Sequence, residues 1–298
     1  MIDLINSKYP IYFDRMEIIR DGGSMAYILF SHVKKYFLRV LKPTFFDTAI
    51  EAVYIQLFLL KQNFLVPPVI FSKDGLPYVK TKSELVILYE FIEGDGAEPD
   101  DDAETAGVLV GQLHHIMKEY SGNLIHRDKY FYIDRYIDIL KKKEYPKYTE
   151  FMKYGNELWE KVKDLPRGYC HGDMHSGNMQ KTPHGKIYLL DFDTSCIGFP
   201  MYDITLFCNR TNYFEYDEQG HEKSRIMLNR FLSEYKKYNK ISQNEINAFY
   251  DLIALYHFTL QATMIDLYGL DCVNNTFFDK QLNWLYKWLE QCELSKKI

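Results

Sequence analysis

The stretch GYCHGDMHSGNMQKTPHGKIYLLDFDTS, residues 168–195, gathers three His, three Asp and one Asn into 28 positions. Its second half reads as a hairpin: NMQ, the turn KTPHG, then KIYLL, so that Asn178 and Asp191 meet at the open end. The short Gly-containing loop 171–178 returns Asp173 to that end. Phosphoryl transfer needs few groups: a carboxylate that orients and deprotonates the attacking hydroxyl, and oxygens that hold Mg2+ on nucleotide phosphates. Asp173, Asn178 and Asp191 supply that set. A zinc or iron site competes, because His171, Asp173 and His175 alternate as H-x-D-x-H and imidazole suits such metals. Against it, Gly172 and Gly177 break the strand that alternation requires, and the Asn178 amide is a poor ligand for soft metals. A polar loop with hydrogen-bonded histidines is the third reading.

HGDMHSGN, with LLDFD thirteen residues beyond Asn178, resembles the catalytic loop and metal-binding segment of the aminoglycoside phosphotransferase and choline kinase superfamily. These are small-molecule kinases with a protein-kinase-like fold. The resemblance implies a two-lobed α+β architecture, with an antiparallel five-stranded N-terminal sheet carrying one helix and a larger, mostly helical C-terminal lobe. It implies that Asp173 contacts the acceptor hydroxyl and that Asn178 and Asp191 hold Mg2+. His171, His175 and Asp203, the last in PMYDIT, would brace the loop. Asp193, the second acid of DFD, falls at a variable family position and would serve as a supporting partner behind the metal ligands.

The same resemblance assigns a nucleotide side. RDGGSMAY places Gly22, Gly23 and Ser24 between the first two strands, where a glycine-rich hairpin covers the phosphates; an ordinary hairpin turn needs the same residues. The third strand of kinases carries a Lys that grips phosphates and pairs with a helix Glu. Here YFLRVLK puts Arg39 at that position, twelve residues before Glu51. Arg is not a neutral exchange for Lys, since its planar fork binds bidentately and stays protonated, yet it binds phosphate. Lys42 falls on the opposite strand face by the period of two. LVILYEFIEG resembles the segment that binds adenine through its backbone, with Leu88 to Ile92 along the base and Glu90 and Ile92 supplying the carbonyl and amide. ATP is the expected donor; GTP is not distinguished by such a segment.

Outward from the motif, the first 92 residues alternate strand-like runs with turns: MEIIRD, MAYILFS, YFLRVLK, then a helix over 46–63, then VPPVIFS and LVILYEFIEG. From about residue 101 the pattern is helical, over 101–120, 131–143, 147–164, 221–238, 242–268 and 277–292. The reading therefore places a nucleotide-binding lobe at 1–92 and a catalytic, acceptor-binding lobe at 93–298, sharing a cleft, with the boundary where Gly94 and Gly96 interrupt the chain. Asp100 to Asp102 precede a helix and suit its free N–H groups. Asp266 and Tyr268 in TMIDLYGLDC are candidate acceptor contacts together with Asp193, since cationic acceptors favour acids and aromatic faces; Tyr256 and His257 lie close by in sequence.

The 298 residues, 47% hydrophobic and 26% charged, suit one large or two moderate globular domains. A formal charge of −5 without a dense basic run argues against nucleic acid or an anionic membrane as partner. MIDLINSKYP carries no apolar leader core, and no stretch of about 18 apolar residues stands out. Five Cys without C-x-x-C spacing fit reduced thiols, so a cytoplasmic protein is expected. The function expected is transfer of the ATP γ-phosphate to a hydroxyl of a small molecule, aminoglycoside-, choline- or homoserine-like. A non-catalytic nucleotide-binding or structural member of the same fold is the alternative. A protein kinase is disfavoured, because no A-P-E segment follows DFD.

Overall fold

The strand LVILYE is apolar without alternation, and its place in the sheet explains why. A computed structural model describes residues 1–20, 24–32 and 34–295. By compactness these fall into two units, Met1–Glu98 with Glu119–Leu124 and His175–Ser195, and Pro99–Lys118 with Ile125–Met174 and Cys196–Ile298. The division is not the linear split at residue 92, because two later segments fold back into the first unit.

In the first unit, helix α1 (Ile2–Lys8) precedes strands β1 (Arg15–Arg20), β2 (Ser24–Ser31) and β3 (Lys34–Leu41); helix α2 (Phe46–Lys61) follows, then β4 (Val69–Ile70), β5 (Val79–Lys80) and β6 (Leu85–Glu90). All pairings in this sheet are antiparallel, in the order β1-β2-β3-β6-β4. The described sheet has six strands rather than five, because the two-residue β5 pairs with Leu85 and Val86 on the edge of β6 that β4 uses near Leu88 and Tyr89. A strand of two residues leaves no alternation to read.

β6 is central and covered on both faces. Val86 and Leu88 enter one core with Ile5, Tyr9 and Phe13 from the N-terminal segment, while Leu85, Ile87 and Tyr89 enter another with Phe46, Ala49 and Val53 of α2. Burial on both faces removes the polar alternation that a half-exposed strand keeps. β3 obeys the same period: Leu38 and Val40 face α1, Phe37 and Leu41 face α2, and Arg39 therefore projects on the α2 side. α1 was not foreseen, since seven residues with one buried apolar side chain carry too little periodicity. One helical stretch among the described residues, Pro43–Lys61, is long and apolar enough to cross a membrane by composition; it is the short turn Pro43–Phe45 followed by α2, whose inner face packs on the sheet.

The returning segment 175–195 forms strands Met179–Lys181 and Ile187–Leu189, with Asp95–Gly96 pairing on the other side of the first. Gly94 is required by this approach: its φ is 147°, and a Cβ there would sit 2.0 Å from the Lys181 carbonyl oxygen.

The second unit is helical: α3 (Pro99–Ile116), α4 (Arg135–Lys142), α5 (Tyr148–Val162), α6 (Pro200–Cys208), α7 (Gly220–Tyr235), α8 (Gln243–Asn247), α9 (Phe249–Tyr268) and α10 (Asn275–Ser295). One π-helical turn, Tyr130–Asp134, precedes α4, and the helix expected over 242–268 breaks at Ala248. α6 was missed because seven of its nine residues are buried, so no polar face marks the helical period. Edge-to-face rings of Tyr136, Phe151 and Phe258, 5.5–6.0 Å apart, build the core along α9.

Candidate functional site

The first unit holds a cavity of about 310 Å³, within the size range of small-ligand sites. Ile19, Ala26, Phe37, Leu190 and Phe192 give it apolar walls, and Ser24, Arg39, Asn178 and Asp191 line it with polar groups. Glu90 and Ile92 also line it. The Glu90 N–H donates to the Pro68 carbonyl at 2.9 Å and is therefore already engaged. Gly22 and Gly23 lie outside the described residues; Ser24 opens β2 opposite Leu41. Sequence reasoning passed over Arg20, Gln56 and Gln180, which also border the cavity. Gln180 lies two residues beyond Asn178, in the middle of the strand Met179–Lys181.

Asn178 and Asp191 are brought together by the hairpin: the Leu190 N–H donates to the Asn178 carbonyl at 2.8 Å. Asp191 adopts a left-handed conformation, φ 57° and ψ 74°, which Asp tolerates better than most residues. The backbone turns there into the short helix Phe192–Thr194, burying Phe192 while the Asp191 side chain remains 43% exposed. One amide oxygen and one carboxylate make an incomplete cage for a metal. They suit a Mg2+ whose remaining ligands are phosphates and waters. Among the described residues no group of three His, Cys, Asp or Glu is placed to hold an ion.

Arg39 does not pair with Glu51. Its Nη1 and Nη2 donate to the two oxygens of Asp193 at 3.0 and 2.5 Å, and Nη1 lies 3.6 Å from Asp191. Burial works against the guanidinium charge, but Asp193 and Asp191 more than offset it and hold the pKa above its ordinary value. Glu51 instead accepts from the Tyr120 hydroxyl at 2.7 Å. Asp193, expected as an acceptor contact, is thus the partner of Arg39. Lys42 is exposed.

In the second unit the strand Gly168–Cys170 leads into the loop that carries Asp173. Gly172 has φ 82°, and the turn directs the N–H groups of His171 and Gly172 onto the buried carboxylate of Asp203, at 2.6 and 2.9 Å. Asp203 is also 3.1 Å from His114 Nε2, whose Nδ1 meets the Tyr235 hydroxyl at 2.9 Å. His171 is fully buried; His175, in the first unit, is exposed and accepts the Gly177 N–H on Nδ1 at 3.0 Å. Burial, and after it the Asp173 carboxylate, push the Tyr256 hydroxyl up to about 12. The ring of Tyr256 stands edge-on to Tyr202 and Tyr213 at 6.0 and 5.1 Å. Arg127 Nη1 donates to the Gly172 carbonyl at 3.4 Å, a contact between residues too far apart in sequence to carry a signal.

The remaining acceptor candidates also belong to this unit. Asp266 pairs with Arg135 at 3.3 Å, Tyr268 is 75% exposed at the end of α9, and His257 is buried against Trp284 with ring centroids 4.6 Å apart. Cys170 is buried opposite Cys196, and burial pushes its thiol well above the ordinary range.

A profile of the phosphotransferase enzyme family, APH, matches residues 22–268, and the chain belongs to that family. Among solved structures it is similar to an amicoumacin kinase in complex with AMP-PNP and Ca2+, with a TM-score of 0.77 at 16% identity, covering 97% of this chain and 92% of that one. A microcompartment-associated aminopropanol kinase gives 0.67 at 17% identity over 99% and 95%. Choline kinase from Streptococcus pneumoniae gives 0.59 at 14% identity over 98% and 96%. At such identities the likeness is one of fold. An uncharacterized protein of Deinococcus radiodurans is 28% identical over 131 residues, 43% of this chain and 37% of that protein. The MG356 homolog of Mycoplasma pneumoniae is 40% identical over 48 residues, 16% of this chain and 17% of that protein. The chain thus matches well under half the length of these curated relatives.

Proposed function

We propose that the chain transfers the γ-phosphate of ATP to a hydroxyl of a small molecule. The observation that carries this reading is the convergence of Arg39, Asn178 and Asp191 on one apolar cavity. Its apolar walls suit a purine, and the carbonyl of Glu90 with the amide of Ile92 would address the base edge. Arg39 would bind the phosphates, while Asn178 and Asp191 would hold Mg2+ on them. When bound, that ion would offset charge on the transferred group.

Asp173 would accept the proton of the acceptor hydroxyl and aim its oxygen for in-line attack. Asp203 supports this role by fixing two main-chain N–H groups immediately before Asp173. Nucleotide binding thus falls to residues 1–92 with the returning 175–195 segment, and acceptor binding to the helical part. The acceptor class is an alcohol of the aminoglycoside, amino-alcohol or hydroxy-amino-acid kind; the aminopropanol kinase and choline kinase of like fold support the amino-alcohol option.

The test is ADP release from Mg-ATP against pooled aminoglycosides, amino alcohols, hydroxy amino acids and sugars, with Asp173→Asn as control. Turnover with one pool that the variant lacks supports the reading and names the acceptor class. ATP binding without turnover on any pool favours a non-catalytic member of the family.

A further inference from the structure

The side chain that grips Arg39 comes from the turn beside the proposed metal ligand and not from helix α2. Both terminal nitrogens of Arg39 are engaged by the two oxygens of Asp193, a fork-to-fork pair in which the partners are only 14% and 19% exposed. Such pairs fix orientation as well as charge, and a Lys ammonium cannot make them. Arg carries five N–H donors, so a guanidinium held in this way keeps donors for a phosphate.

Glu51 is committed elsewhere. Its Oε1 accepts from Tyr120, whose ring lies edge-on to Phe58 of α2 at 5.2 Å. A Cβ on Gly122 would fall 2.3 Å from the same oxygen, so residues 120–122 press closely on this carboxylate. The helix carboxylate therefore serves as an anchor for the 119–124 segment.

We infer that Asp193 is the positioning residue for Arg39 in nucleotide binding and that Glu51 has no part in it. This rests on the donor-site reading above. One short turn then sets both the proposed metal ligand Asp191 and the orientation of the phosphate-binding cation. Donor binding in this chain does not depend on a charge pair with α2.

The test is calorimetric binding of Mg-AMP-PNP to the full chain and its variants, with thermal melting of each. Asp193→Asn should weaken binding about 10- to 100-fold, the span expected for a lost charge-assisted pair. Glu51→Gln should stay within about twofold of wild type, since it leaves the Arg39 pair intact. In an Arg39→Met background, Asp193→Asn should add no further loss, because Asp193 acts through Arg39.

Wild-type affinity in Asp193→Asn, an equal loss in Glu51→Gln, or additive losses in the double variant would each overturn the inference and leave the donor reading standing. Failure of the wild type to bind Mg-AMP-PNP would remove both. Arg39→Lys gives an independent variant if Asp193→Asn does not fold. It should lose about tenfold, unaltered by adding Glu51→Gln; full affinity that depends on Glu51 would overturn the inference.

Discussion

The carboxylate of Asp203 accepts the main-chain N–H of Gly172 at 2.9 Å, one residue before Asp173. With the His171 N–H on its other oxygen, Asp203 ties down two successive main-chain groups of the loop. Asp203→Ala strands two N–H groups and should cost about 2–4 kcal/mol of stability. Asp203→Asn retains one acceptor oxygen, so it should fold more stably than Asp203→Ala yet lose roughly 10–100-fold in kcat through a displaced loop. Urea melts and turnover of the two variants check this; equal stability of both with wild type would remove the bracing role.

Asp173→Asn keeps shape and removes the base. Turnover should fall by about 10²–10⁴, the usual range for general-base loss, with Mg-ATP affinity unchanged. Steady-state kinetics alongside calorimetry separates the two effects, and a variant with wild-type kcat would discard the mechanism.

Gly94 and Gly75 both have positive φ, at 147° and 75°, but only Gly94 has backbone within reach of an added Cβ. Gly75→Ala should cost about 1–2 kcal/mol from conformational strain alone. Gly94→Ala must also move the Lys181 carbonyl, which carries the strand ending at the cavity, so it should cost more and weaken nucleotide binding. Chemical denaturation of the pair measures the difference.

Burial holds His257 neutral, with its pKa lowered from 6.5 to about 3. Between those values the unfolded chain takes up a proton that the folded chain refuses. Its contribution to stability is therefore intact above pH 6.5 and declines as pH falls, by up to about 1.4 kcal/mol per unit. From pH 6.5 to 5 the wild type should lose roughly 2 kcal/mol more than His257→Phe. Denaturant titrations at both pH values give the comparison, and parallel losses would show that His257 titrates normally.

Much of this was legible from local pattern. The apolar runs MAYILFS and YFLRVLK mark β2 and β3, and the helical spacing of FDTAIEAVYIQLFLL marks α2, even though β3 packs into a core on each face. The hairpin between Asn178 and Asp191 was readable from a turn flanked by short strands. α6 was not, because burial on every side leaves no period.

By itself, then, the sequence determined the family and the residues that could carry its chemistry, since the H-G-D-x-H-x-x-N spacing and the DFD acids are written within 23 positions, 171–193. Tertiary structure decided which acid holds which cation. Asp193, 154 residues from Arg39, meets the guanidinium, while Glu51, only twelve away, is drawn to Tyr120. Strand and helix periods say which face a side chain leaves from. They do not say which of several carboxylates on other elements it meets, because that depends on how the returning segment 175–195 packs on α2 and the sheet.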